Sequence, residues 1–292
     1  MFEIKYEIKK GPDGLSLEDY RSLVYDEFEK LLADFSHEEK AFQLFFEQNP
    51  ICMPGAFELI GTSGHYPHNS ALISQAKLGN LDTKRIPDFM WLAQDSTDFC
   101  PVFIEIERPD KKIFTDKGNQ TSEFSQAYGQ IQEWKSLLNK PNSVLDFYDY
   151  YNIPTFLRDK NFKPQYCMIY GRRNEYENDE FLNRKRAQMN DNDFILMSYD
   201  RVLDMIFCCQ GDDLVTCKVV KKHYEVMHIS STYKYRPGLV SNLCNLNNFI
   251  DSINHIKYIS DERKEFLKER YPYWLEFGKL QSKGVIRSSD AE

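Results

Sequence analysis

The sequence predicts an α/β protein, and three observations carry that class. Short apolar runs of strand length, at residues 86–92, 102–108, 165–170 and 194–197, alternate with stretches whose apolar residues recur at helical spacing. The chain has 292 residues, 41% of them hydrophobic and 28% charged, so it can bury a substantial apolar interior. Two of the runs carry carboxylates, at Asp88, Glu105 and Glu107, which an ordinary core does not tolerate without a cation.

Residues 2–9 alternate apolar and charged side chains and predict a strand, closed by a Gly11-Pro12-Asp13-Gly14 turn. Tyr20, Leu23, Val24, Phe28, Leu31 and Leu32 place a helix over 17–35. Ser36-His37-Glu38-Glu39 has the form of a capping box, opening a helix that runs through Phe42, Leu44, Phe45 and Phe46 to Asn49-Pro50. Glu38 and Glu39 read first as charge favoured at a helix N-terminus; the functional reading makes Glu39 an added metal ligand. Residues 57–60 suggest a strand. His65 and His68 follow in a loop reaching Asn69, and two histidines without a third ligand do not make a metal site.

After the two carboxylate-bearing runs, residues 122–134 form a helix with Gln126 and Gln130 on one face. The aromatic stretch at 147–156 is either ordered by its tyrosines or an insertion. Residues 165–170 predict a strand ending in Gly171-Arg172-Arg173, where the arginines are candidates for holding phosphates. A basic helix over 178–190, a strand at 194–197 and a helix at 200–207 follow. Beyond Gly211, residues 214–221 and 224–233 alternate like a hairpin, and 247–279 reads as one or two amphipathic helices interrupted near Pro272. The tail from Ser282 is expected to fray. These readings divide the chain into an N-terminal strand and helix (1–35), a core (36–210) and a C-terminal hairpin with helices (211–292), which packs on the core or forms a homo-oligomer interface.

Composition narrows the function. Seven cysteines without C-x-x-C spacing argue against a disulfide framework and a zinc knuckle. A net charge of -8 argues against a protein that coats nucleic acid nonspecifically. No apolar run approaches the roughly 18–20 residues that span a bilayer, and the first residues do not resemble a secretory signal. No membrane association and a cytoplasmic location are the expectations.

The period of two sends Phe103, Glu105 and Glu107 to one face of their strand and Val102, Ile104 and Ile106 to the other. The Asp95-Ser96-Thr97-Asp98 turn lies midway between Asp88 and Glu105. A symmetric antiparallel hairpin therefore sets these two acids opposite each other, with Cβ atoms roughly 4.5–5.5 Å apart. Like charges so close call for a cation, and Mg2+ or Mn2+ suits an oxygen cluster that keeps waters for a phosphate substrate. Hydrolysis of a nucleic-acid backbone is the chemistry that such a metal supports.

Pro87-Asp88, then Glu105-Ile106-Glu107, then a helix with Gln126 and Gln130 resembles the PD-(D/E)XK nuclease superfamily. More narrowly, R-I-P-D-F-M-W-L, F-I-E-I-E-R-P and F-S-Q-A-Y-G-Q-I-Q-E-W resemble the Shedu family of bacterial antiphage nucleases over roughly residues 36–207. The resemblance implies a restriction-endonuclease-like core: a helix, a mixed sheet of about four strands, a crossing helix and a last strand. It implies that Asp88 and Glu105 bind the metal, that Gln130 orients water or touches substrate, and that phage or free-ended DNA is the partner. Gln126, Lys112, Arg172 and Arg173 are the accompanying candidates for contact with nucleic acid.

The sequence departs from the superfamily in one place. Lysine usually stands two positions after the second acid, and here that residue is Glu107. Glu107 then serves as a further ligand or a base, and Lys111, Lys112 or Lys117 is left to supply the cation. Three functions stay open: a metal-dependent DNA endonuclease or nickase in antiphage defence, a catalytically impaired nuclease-fold scaffold that binds DNA ends or a partner, and a phosphate-ester hydrolase acting on nucleotides.

Overall fold

The computed structural model describes residues 6–57, 67–78, 86–280 and 290–292. Helix α1 (Leu17–Asp34) starts at Ser16, whose side chain accepts from the Asp19 amide, and buries Tyr20, Val24, Phe28 and Leu32 as a stripe spaced by four. Leu23 falls off that stripe and is exposed. Helix α2 (Glu39–Gln48) begins at Glu39 and has no side-chain cap, so the expected capping box at Ser36 does not form. Residues 35–38 are consumed by a tight turn from α1, in which the Glu38 amide donates to the Phe35 carbonyl.

Among the described residues the first strand of the sheet is β1 (Ala71–Ser74). Phe57 lies in a bend, and residues 58–60, with His65, are outside the described residues. All four β1 residues are buried, so the run has no alternation by which to be recognised. Residues 6–9 are likewise not in a strand, and 2–5 lie outside the described residues.

Strands β2 (Phe89–Gln94) and β3 (Asp98–Ile106) form the expected antiparallel hairpin, pairing Phe89 with Ile104 and Gln94 with Phe99. Its turn is closed by Asp95, whose side chain accepts from the amides of Thr97 at 2.8 Å and Asp98 at 2.7 Å. Strands β4 (Asn161–Phe162), β5 (Gln165–Ile169) and β6 (Phe194–Met197) complete one side, with β3, β5 and β6 parallel. On the other side β1 pairs parallel with β7 (Val215–Val220), which turns into β8 (His223–Ile229) beside β9 (Leu246–Asn247). The hairpin beyond Gly211 thus extends the central sheet. Among the described residues the strands form one mixed sheet in the order β6-β5-β3-β2-β1-β7-β8-β9, with β4 also on β3.

Helices cover both faces. Val102, Ile104 and Ile106 of β3 pack with α1, α2 and α7 (Tyr199–Met205). Phe103 faces the opposite core, with α3 (Ser122–Leu138), α4 (Pro141–Tyr150) and α5 (Thr155–Arg158). The aromatic stretch is therefore ordered: Phe147, Tyr148 and Tyr151 are buried there. The basic helix is α6 (Glu180–Ala187), which buries none of its residues. Helices α8 (Phe249–Ile253) and α9 (Asp261–Leu280) extend the same core under the C-terminal hairpin. The interruption falls between these two helices. Pro272 lies inside α9, which runs unbroken from Asp261 to Leu280. The expected fraying does not hold for Glu292, which is buried against Arg270 and Trp274.

Candidate functional site

Asp88 precedes β2, and Glu105 and Glu107 sit at the carboxyl end of β3, where the parallel strands of open α/β sheets present their ligand-binding crevice. The β2–β3 register, continued one step beyond Phe89 and Ile104, sets Asp88 opposite Glu105. The Asp88 carboxylate accepts from the Ile106 amide at 3.0 Å. Burial pushes its pKa up to about 7 against that bond, with the charges of Glu39 and Glu107 adding to the rise. Glu105 is buried as well, and burial and then the charge of Asp88 hold its carboxyl well above the usual range. Glu39, the first residue of α2, is raised by partial burial and by Glu107. Asp88, Glu105 and Glu39 each feel the charge of Glu107, so the four carboxylates share one electrostatic environment.

Helix α3 supplies the contact to Glu105. Thr121 caps it by accepting from the Phe124 amide at 3.1 Å, and the helix buries Phe124, Ala127, Ile131 and Trp134 against the sheet. That orientation brings Gln130 Nε2 to 2.6 Å from Glu105 Oε1. The second oxygen, Oε2, is buried and has no hydrogen-bond partner among the described residues. Gln126, one turn earlier, is exposed.

The loop after β3 brings a lysine to Glu107. Lys111 Nζ lies 2.5 Å from Glu107 Oε2, and both side chains are largely buried. Lys112 is exposed, on a neighbouring cleft of about 520 Å³ that Ser36, Lys111, Arg172 and Glu175 also line. Arg172 is held by Asp200 through Nε at 3.0 Å and Nη2 at 2.8 Å, and Arg173 pairs with Asp204. Both arginines are thus engaged by acids of α7. The trio at 184–186 is also occupied: Arg184 with Glu180, Lys185 with the Gly118 carbonyl and Arg186 with the Leu196 carbonyl.

Two residues of the site were not foreseen. Gln75 follows β1 with φ +51°. Its amide donates to the Asp88 carbonyl at 2.7 Å, and its Nε2 reaches Asp88 Oδ1 at 3.3 Å. The signal was present in Ala-Leu-Ile-Ser-Gln, a short apolar run ending in an amide, but the strand before it went unread. Tyr199 opens α7 behind the cluster. Its hydroxyl is buried without a hydrogen-bond partner among the described residues, and its pKa is raised by burial and then by Glu39 and Asp88. The cue in the sequence is a tyrosine one residue past an apolar strand, just after the Ser198 cap of α7. His68 stands apart, at the opposite end of β1 from Gln75.

Among the described residues, no group of three or more His, Cys, Asp or Glu side chains is gathered as a metal cage. The unsatisfied Glu105 Oε2 beside Asp88 fits a narrower case: magnesium or manganese takes one or two carboxylates and keeps several waters. Zinc, which favours cysteine and histidine ligands, is not matched by this all-oxygen donor set.

The fold and the site define an α/β protein with a mixed sheet and an acidic cluster at the carboxyl edge of its central strands. Residues 36–203, more than half of the chain, match the Shedu protein SduA C-terminal family, and the chain belongs to that family. A search of curated proteins returns no match. Among the described residues no helix is long and apolar enough to cross a membrane.

Proposed function

We propose that the chain hydrolyses phosphodiester bonds of DNA with Mg2+ or Mn2+. The observation that carries this reading is Glu105, a buried carboxylate with one oxygen held by Gln130 and the other unsatisfied beside Asp88. Membership in the family implies a role in antiphage defence. Phage or free-ended DNA as the substrate, and a PD-(D/E)XK ancestry for the core, belong to the same proposal.

Each side chain then has a stated task. Asp88 and Glu105 hold the metal, which, when bound, activates water and stabilises charge on the phosphate. Gln75 and the Ile106 amide fix Asp88, and Gln130 fixes Glu105. Lys111 neutralises Glu107 and supplies the positive charge that position 107 does not. Lys112 and the cleft beside it offer a path for the strand being cut.

Purified protein is to be incubated with linear, nicked and supercoiled DNA in Mg2+ or Mn2+. Asp88→Asn and Glu105→Gln lower cleavage by roughly a hundredfold or more, since loss of the metal removes several kcal/mol of transition-state stabilisation. Lys111→Ala lowers it too, and Lys111→Arg restores part. Cutting by the acid variants at the parent's rate refutes the assignment. The second reading, a noncatalytic binder of DNA ends or a partner, is favoured by the Glu107–Lys111 pair, in which the lysine is already occupied. It requires that DNA binds and survives in either metal.

A further inference from the structure

The Gly171-Arg172-Arg173 run after β5 reads as a phosphate holder, yet both guanidiniums are engaged by acids of α7. What this run holds is the loop that carries Lys111. Asp200 takes the Arg172 side chain and, through Oδ2, the Arg173 amide at 2.6 Å. Those bonds fix the single 3-10 turn Arg173–Glu175 against the start of α7.

Glu175 ends this turn and reaches the loop. Its Oε2 accepts from the Ile113 amide at 3.0 Å and its Oε1 from the Phe114 amide at 2.6 Å. One carboxylate thus takes two successive backbone donors, 62 and 61 residues earlier in the chain, and its charge makes each bond stronger than one between neutral groups. Ile113 and Phe114 are both buried, so loss of the carboxylate leaves two amides with poor access to water.

Gly171 supplies the second hold. Its φ of +62° is left-handed, and a Cβ there would stand 2.6 Å from the Lys111 carbonyl oxygen, so the loop backbone rests directly on it. Lys111 therefore sits between a backbone contact at its own carbonyl and a carboxylate clamp two residues on, with its side chain delivered to Glu107. Lys112, its neighbour, is exposed. A shift of the loop by one residue would exchange the two, and a misplacement of about 1 Å at a reacting centre can cost about a hundredfold in rate.

We propose that Glu175 is a positioning residue: its carboxylate, clamped on the Ile113 and Phe114 amides, sets the loop so that Lys111 rather than Lys112 meets Glu107. The placement stands on these contacts alone, and its consequence for cleavage rests on the proposed nuclease activity.

Acetylation of the full chain with acetic anhydride, read by peptide mass spectrometry, tests the placement without any activity. Lys111 and Lys135 are matched, each with a side chain 17% exposed and paired to a carboxylate, and Lys135 lies outside the loop. In the parent both react slowly and Lys112 fast. Glu175→Ala raises the Lys111 rate by about fivefold or more and leaves Lys135 unchanged, since only the loop opens. Glu175→Gln, which keeps one acceptor, falls between. An unchanged Lys111, or Lys111 and Lys135 rising together as in general unfolding, overturns the proposal. Cleavage is the second readout. Glu175→Ala lowers kcat by about tenfold with KM within about twofold, and adds nothing in a Lys111→Ala background, as two residues acting through one contact should. Losses that add in the double variant overturn the positioning role. A parent that cuts no DNA refutes the nuclease reading, and the acetylation result then decides Glu175 by itself.

Discussion

Asp88 shows what a carboxylate at this position does to stability. Its pKa rises from an ordinary carboxyl value to about 7, so the folded chain binds that proton more tightly than the unfolded chain does. Between about pH 4 and 7 the native state therefore carries more protons, and the contribution of Asp88 to stability falls as pH rises through that window. Asp88→Asn removes the buried charge and keeps an oxygen for the Ile106 amide. The variant is expected to be more stable than the parent by on the order of 2–4 kcal/mol at pH 8, and close to it at pH 4. Paired urea denaturations at the two pH values measure this, and a parent equal to the variant at both contradicts the cost assigned to the charge. A residue that destabilises its own fold is the pattern expected where function has set the choice.

Helix α3 connects a local sequence signal to the site. Thr121 caps it, and its hydroxyl also donates to the Lys112 carbonyl at 2.8 Å, so one side chain ties the start of the helix to the loop that carries Lys111. Thr121→Ala is expected to cost about 1 kcal/mol, and Thr121→Ser less than half of that, because serine keeps both bonds. Thermal melts report the stability. Cleavage that falls further than the stability loss explains would locate the effect at Gln130 and Lys111. Much of this element was legible beforehand: the spacing of Phe124, Ala127, Ile131 and Trp134 defines the buried stripe and leaves Gln126 and Gln130 off it. Spacing alone does not say which of the two glutamines meets the strand, since both share a face; the family resemblance named Gln130, and the height of α3 over β3 brings that one to Glu105.

Across the whole molecule, α9 ties distant parts of the chain together. Arg270 and Glu292 form a pair whose side chains are 4% and 0% exposed, with Nε at 2.7 Å and Nη2 at 2.8 Å from the carboxylate. Trp274 donates to the same carboxylate at 2.7 Å, and Arg270 also donates to the Glu7 carbonyl at 2.9 Å. Removing one partner strands a buried charge. Arg270→Met is expected to destabilise by roughly 3–5 kcal/mol, while the double change with Glu292→Leu recovers most of the loss. Chemical denaturation of the single and double variants gives the comparison, and equal losses in both would show that packing, not the stranded charge, sets the cost.

The sequence alone determined the hairpin, its register and the side of the sheet on which Glu105 lies, because a period of two and a four-residue polar turn leave little freedom. It also determined helices α1 and α3 and the strands β5 and β6, whose periodicity or apolar runs are unbroken, whereas the break it placed near Pro272 falls instead between α8 and α9. Tertiary structure decided the rest. Strand β1 is buried on both faces and shows no pattern; β7 reaches it from more than a hundred residues away in a parallel pairing that no local signal specifies. The antiparallel pairing of β1 with β2 placed Gln75 on Asp88, and the path of the loop after β3 chose Lys111 over its neighbours as the partner of Glu107. Local periodicity is written residue by residue, whereas which end of which strand meets which loop depends on how every element packs at once.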